Sequence, residues 1–296
     1  MRTVAYCTGL YSKQAYCQEE RVEAFNKAEE EARKAGLTLE VQIFINNSPK
    51  EFFTVMAKLY KRDAKFQHFL TDLGKMDYWK DVPIKNVKAV RMDMHRGSVE
   101  RIEGWDEGGV FSARTFDIYK LLAEIFNKGM TRSYRLGHEF FGILSGDQIL
   151  PPEHPTTMVK FLDEHPEAGI ASALAFYDFS KKKMLIDGEE REALRPLVYV
   201  YDRPGRPNYM RWVYDNLLPN QKNNWTGLAF VEVDATGTGG CLIPRKVFGK
   251  LKFKLEHEEG IGEDIQYCLD IQRAGYKVYS IPEVIIKNRY ESGELY

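Results

Sequence analysis

The chain of 296 residues is 44% hydrophobic and 29% charged, which suits one large α/β domain or two small ones. Its 42 basic and 43 acidic side chains give a formal net charge of -1, so neither a basic surface for nucleic acid nor an acidic tail for a basic partner is indicated. Apolar runs such as residues 282–286 fall far short of the roughly 20 residues that a membrane span needs.

The first residues, Met1-Arg2-Thr3-Val4-Ala5-Tyr6, lack a long apolar signal segment and read as a first strand. Cys7, Cys17, Cys241 and Cys268 form no CxxC pair, which argues against structural zinc and a disulfide framework. Cys7 and Cys268 lie in apolar patterns as buried reduced thiols, and a cytoplasmic protein is the expectation.

A short apolar run over residues 2–8 ends at Gly9 as a buried strand. Residues 19–34 carry Val22, Phe25, Ala28 and Ala32 at helical spacing and stop at Gly36. Residues 39–45 are β-rich and stop at the turn signal Asn46-Asn47-Ser48-Pro49. Strand, helix and strand joined by tight turns make a βαβ unit, so a mainly parallel sheet follows. A helix over 52–60, a strand over 87–92 and an amphipathic helix over 111–126 come next. The strand 140–144 then breaks at Ser145-Gly146-Asp147-Gln148 and Pro151-Pro152. A helix over 156–164 and a strand over 168–177 precede an irregular stretch, 181–226, which suits an extended hairpin plus a substrate-facing lid. Strands at 228–234 and 240–243, a helix over 264–274 and a strand over 277–281 complete one continuous α/β domain.

Gly262-Glu263-Asp264 sets two carboxylates at a helix start, where negative charge is favoured by about 0.3–1 kcal/mol. That position keeps Asp264 ionised, as a general base or metal ligand must be; acidic residues capping a helix is the other reading. Asp147 stands past the end of a very apolar strand, where open α/β sheets bind ligands. A hard divalent cation such as Mg²⁺ takes one or two carboxylates plus substrate phosphates, so Asp147 is a candidate ligand, or else caps its turn. Thr236-Gly237-Thr238-Gly239-Gly240 lets backbone approach a ligand and offers N–H groups to oxygens, or forms a bulge. It lacks a P-loop lysine and the spacing of a dinucleotide fingerprint. His68, His95, His138, His154, His165 and His257 form no HxxxH or HExxH pair, and no GxSxG elbow is present. Tyr199, Tyr201, Tyr209, Trp212, Tyr214 and Trp225 either stack on rings of a ligand or form a small core under loops.

In order, three segments resemble the family 2-type glycosyltransferases of the GT-A fold. They are Ile143-Leu144-Ser145-Gly146-Asp147-Gln148-Ile149-Leu150-Pro151-Pro152, Val233 through Gly239-Gly240 to Arg245-Lys246-Val247-Phe248, and Gly262-Glu263-Asp264 through Arg273-Ala274-Gly275-Tyr276. They look like the family's DxD strand end, glycine loop and ED motif with its downstream RxxGY. The resemblance implies a mixed, mainly parallel sheet flanked by helices in a single Rossmann-like domain. Residues 1–150 would be the nucleotide-sugar half, and 151–296 the acceptor and catalytic half.

It further implies a UDP- or GDP-sugar donor, with its diphosphate on a divalent cation, Mn²⁺ or Mg²⁺, near Asp147. Asp264 matches the catalytic base for inverting transfer to an acceptor hydroxyl of a glycan, lipid or protein, and Glu263 would support it. Asn46, Arg114, Gly239 and Gly240 would meet the donor. Two departures stand out: Ser145 replaces the first DxD aspartate, and Asn288 occupies the place of a metal-binding histidine. Two other readings follow: a sugar nucleotidyltransferase, for which Gly9-Leu10-Tyr11-Ser12-Lys13 is a poor match, and a catalytically degenerate binding protein.

Overall fold

The computed structural model describes residues 1–75, 89–93, 98–102, 113–177, 183–186, 189–192, 195–196, 198–201, 210–212, 229–255 and 262–289. The N-terminal unit runs β1 (Arg2–Leu10), α1 (Gln18–Lys34), β2 (Leu37–Ile45), α2 (Lys50–Asp63) and β3 (Gln67–Asp72). β4 (Ala89–Asp93) and β5 (Ser98–Ile102) form a separate antiparallel pair. Then come α3 (Ala113–Leu136), β6 (Phe140–Ile143), β7 (Gln148–Ile149), α4 (His154–Glu164) and β8 (Ala168–Tyr177). The stretch expected as a hairpin and lid contains β9 (Lys183–Ile186) paired antiparallel with β10 (Glu189–Glu192), then β11 (Arg195–Pro196). It continues with β12 (Val198–Tyr201) paired antiparallel with β13 (Met210–Trp212). The lid itself and the side chains of the six aromatics named above lie outside the described residues. The last elements are β14 (Val231–Val233), β15 (Ala235–Thr236), β16 (Cys241–Pro244), α5 (Arg245–Phe248), α6 (Glu263–Arg273) and β17 (Lys277–Asn288).

The main sheet has the order β14-β17-β8-β16-β6-β1-β2-β3. β6, β1, β2 and β3 are mutually parallel, and β17 is parallel to β8. β16 runs antiparallel between β6 and β8. The sheet is therefore mixed, as expected. β1 and β2 are buried almost throughout because both faces are covered, which explains their unbroken apolar sequences. Val22, Phe25 and Ala28 of α1, Met56 of α2 and Met158 of α4 pack on one face with Val4, Tyr6 and Leu39. Ile125 and Met130 of α3, Phe248 of α5 and Cys268 of α6 pack on the other with Cys7 and Ile143. Each large side chain so buried contributes about 1.5–3 kcal/mol. All four cysteines are buried free thiols.

Two elements run far past their expected ends. α3 continues to Leu136, not 126, and β17 continues to Asn288, not 281. In β17 the register with β8 breaks between Ile281 and Ile285, around Pro282, which cannot donate to the ladder. A bulge bends a strand. Beyond this one, β17 pairs with β7, Asn288 facing Gln148.

Candidate active site at the carboxyl ends of the strands

Ile143 ends β6, and the chain turns sharply over Leu144 to Asp147. The turn is closed by Gln148: its N–H donates to Ser145 O (3.2 Å), and its Oε1 accepts from the Ser145 N–H (2.9 Å). The outer side of the turn is held by β17, whose Arg289 N–H donates to Asp147 O (2.8 Å). The resemblance implied Asp147 and Asn288 at one metal, and the β7–β17 ladder brings them to neighbouring backbone positions.

The glycine loop reaches the same point because β16 is reversed. Its first residue, Cys241, pairs with Ile143, the last of β6, so Gly239 and Gly240 lie over the strand's carboxyl end. Gly240 donates to Ile143 O (2.7 Å) and takes φ 81°, a left-handed conformation that favours glycine. A Cβ there would stand 2.5 Å from Ile286 Cγ1, and one on Gly239 would stand 2.5 Å from Gln148 Nε2. The Gly240 carbonyl accepts from the Ala173 N–H (3.0 Å) and from His154 Nε2 (2.9 Å), whose Nδ1 meets Tyr6 Oη at 2.8 Å. Because a carbonyl only accepts, Nε2 carries the proton, and Tyr6 donates to Nδ1. Burial holds His154 neutral, its pKa pushed down to about 4.

Beneath the turn lies a polar group that the sequence reading overlooked. Arg21 is fully buried, donating to Gln148 O (Nε, 3.1 Å), Gln18 Oε1 (Nη1, 3.0 Å) and Thr8 Oγ1 (Nη2, 3.2 Å). Gln18 Nε2 donates in turn to Gly146 O at 2.8 Å. Arg21 shares the stripe of Phe25, Ala28 and Ala32 on α1, and a charge on an apolar stripe was the available signal. Tyr11 stands just past β1, 43% exposed. Burial and the nearby Asp147 charge raise its pKa. Burial pushes the Asp147 carboxyl above its usual range, opposed by a backbone hydrogen bond and the Arg21 charge.

The acidic pair opens α6 behind Gly262, which is the N-cap. Asp264 Oδ1 accepts from the Ile265 N–H at 2.7 Å. The expected gain from the helix terminus is present, but burial outweighs it and lifts the Asp264 pKa to about 6. Asp264 is thus mainly ionised at neutral pH, with far less margin than the helix end alone would give. Glu263 is 6% exposed, and its Oε2 has no partner among the described residues. Burial, then the Asp264 charge, drives its pKa well upward. α6 hangs from the glycine segment, with Cys268 Sγ 3.6 Å from Thr236 O.

The contacts that gather Asp147, Asn288, Gly239 and Gly240 do not extend to Asn46. Its Nδ2 donates to Leu10 O (3.3 Å), tying together the ends of β1 and β2. Arg114 is the second residue of α3, and its side chain lies outside the described residues. Among the described residues no cluster of three His, Cys, Asp or Glu side chains could hold a metal. Asp147 and Asn288, whose carboxylate and amide offer hard oxygens, stand at neighbouring backbone positions.

A sheet with one reversed strand between two parallel groups, flanked by helices, is the GT-A fold. The chain is similar to a solved mannosyltransferase from Pyrobaculum calidifontis in complex with GDP-Man and Mn²⁺, with TM-score 0.50 and 12% identity, over 99% of this chain and 58% of that one. It is also similar to GalNAc-T7 with UDP, GalNAc and Mn²⁺, with TM-score 0.57 and 12% identity, over 98% of this chain and 43% of that one. The chain thus spans less than two thirds of either protein's length, and at this identity the likeness establishes the fold. No family model and no curated protein matches the sequence. No helix among the described residues is long and apolar enough to cross a membrane.

Proposed function

We propose that this protein is a glycosyltransferase that moves a sugar from a nucleotide-diphosphate donor to an acceptor hydroxyl with inversion. The observation that carries this reading is the meeting of Asp147, Asn288 and the Gly239–Gly240 loop at the carboxyl ends of β6 and β17. A GT-A fold and two solved neighbours that hold nucleotides or nucleotide-sugars support it.

Asp264, with its pKa near 6, takes the acceptor proton at neutral pH. Glu263, whose pKa burial and the Asp264 charge raise, would orient the acceptor or support Asp264. Gly239 and Gly240 let the loop pack tightly against Gln148 and Ile286 over the end of β6, beside which the sugar and diphosphate would lie. Asp147 and Asn288 would hold a Mn²⁺ or Mg²⁺ ion, which when bound neutralises charge on the departing diphosphate.

Calorimetric titration with UDP- and GDP-sugars, with and without Mn²⁺, followed by product mass analysis, tests the reading. A bound donor and a transferred sugar are expected, and no binding of any donor would refute it. Ser145 and Asn288, where stronger metal ligands are usual, favour one rival: a binding protein for nucleotides or glycans that has lost turnover. Saturable binding with no hydrolysis or transfer would select that rival.

A further inference from the structure

We infer that the carboxyl half of α3 and the neighbouring residues 245–255 form a docking surface for an anionic lipid bilayer. The inference does not rest on the nucleotide-sugar reading, and vesicle binding tests it whether or not a donor binds.

Residues 127–136 and 245–255 hold eight of the chain's 42 basic side chains and none of its 43 acidic ones. The two segments lie side by side. At one end Asn127 Nδ2 donates to Phe253 O (2.8 Å), and the Phe253 N–H donates to Asn127 Oδ1 (2.9 Å). At the other, Arg245 stands 4.3 Å over the Tyr134 ring and donates to Tyr134 O at 2.8 Å. The segments therefore run antiparallel along about 10 Å of helix. Beyond α5, residues 250–255 alternate lysine with an apolar residue, so that Phe253 is buried while Lys250, Lys252 and Lys254 are exposed. Lys128 and Arg135, which share one stripe of α3, are exposed as well. The acids Glu256, Glu258 and Glu259 follow the strip and lie outside the described residues.

Three of the eight cations meet a carboxylate: Lys128 with Glu124 (3.2 Å), Arg132 with Glu40 (3.2 Å) and Lys254 with Asp270 (2.9 Å). The other five meet none within 4.0 Å among the described residues. Arg245, Lys246 and Lys252 donate to backbone carbonyls, which leaves their charge uncancelled. The end of α3 accounts for Arg135 and Arg245, because a helix carboxyl terminus favours cations. It does not account for the lysines. A merely solvated face mixes signs, as α1 does by pairing Lys27 with Glu23 (2.7 Å) and Lys34 with Glu31 (2.6 Å). Apolar side chains also stand among these cations: Tyr134, Leu136 and Leu255 are each about half exposed. Nucleic acid would reward the charge but not the leucines. A bilayer rewards both, its anionic headgroups taking the cations and its acyl boundary the apolar tips.

The test is flotation of the full chain with vesicles of phosphatidylcholine alone and of equal parts phosphatidylcholine and phosphatidylglycerol. The protein should bind the mixed vesicles only, and added salt should release it. Lys250→Gln and Arg135→Gln should each weaken binding about fivefold, and the double variant by the product of the two. Leu255→Ser should weaken binding but leave its salt dependence unchanged, since no charge is removed. Lys58→Gln, on α2 at the opposite face of the sheet, should bind as wild type does. All four side chains are exposed, so unchanged melting temperatures are expected and verify that each variant is folded. Failure to bind the mixed vesicles, equal binding to both vesicles, or full binding by the double variant would overturn the assignment. Tighter binding to single-stranded RNA or duplex DNA than to the mixed vesicles would give the surface to nucleic acid, and would overturn it too.

Discussion

At pH 6 the Asp264 carboxyl is about half protonated, whereas an ordinary aspartic acid there is almost fully ionised. If Asp264 is the base, kcat/KM should rise with pH and reach half its plateau near pH 6, a limb that a pH–rate profile will record. Asp264→Asn should abolish transfer while donor affinity by calorimetry stays near wild type. The stability effect has a definite sign. A carboxyl whose folded pKa is raised contributes stability below its ordinary value of 3.8 and loses it as pH rises through about 6. Ionised Asp264 therefore costs the fold at pH 8, at most about 3 kcal/mol. Asp264→Asn should melt higher than wild type at pH 8 and equally at pH 3.5. At Gly240 the outcome is opposite. Alanine there takes a left-handed φ and crowds Ile286, so a loss of about 2 kcal/mol or more and weaker donor binding are expected in thermal and calorimetric assays.

Helix α4 acts on the crevice without entering it. Its His154 joins Tyr6 to the Gly240 carbonyl across the core. His154→Phe should leave the Tyr6 hydroxyl buried without a partner, a cost of about 1–3 kcal/mol visible in urea unfolding. If the glycine loop meets the donor as proposed, the variant should also raise the donor KM more than it lowers kcat, because that loop is loosened. His154→Gln, which can still donate an N–H, should recover part of both. Elements of this kind were unevenly legible in the sequence. α1 and the strands flanking it were readable because their apolar periodicity is dense. The second half of α3 was not: its inward face is Gly129, Met130 and Ser133, small or polar residues that blur a helical stripe. Gly129 is there because a Cβ would lie 2.7 Å from Cys7 Sγ, so close packing on β1 excludes a larger side chain. β17 read as ending at Pro282 because proline breaks ladders locally, whereas here it occupies a bulge and the strand resumes.

Over the whole molecule, the parallel character of the sheet could be anticipated from its βαβ start, but strand order could not. Local pattern carries no pairing partner, so the reversal of β16 was not visible, and only the family resemblance put Asn288 with Asp147. Asp147, Asp264 and the glycine loop stood out because each breaks an apolar run. Arg21 and His154 did not, because their roles arise only from what the fold packs around them. If the crevice binds nucleoside diphosphate, ligand at a hundred times its Kd should stabilise the fold by about 2.7 kcal/mol, a rise of several degrees in a thermal-shift assay. The closing strand has a consequence in time as well as space. Arg289 bonds both oxygens of Glu20, 269 residues away, at 2.7 and 2.5 Å, beside its backbone bond to Asp147. Such distant pairings form late, since a long loop must close before they are rewarded. A chain emerging from the ribosome therefore has no finished Asp147 turn until β17 docks, and a ligand held by that turn could reward the completed fold but not guide the search for it.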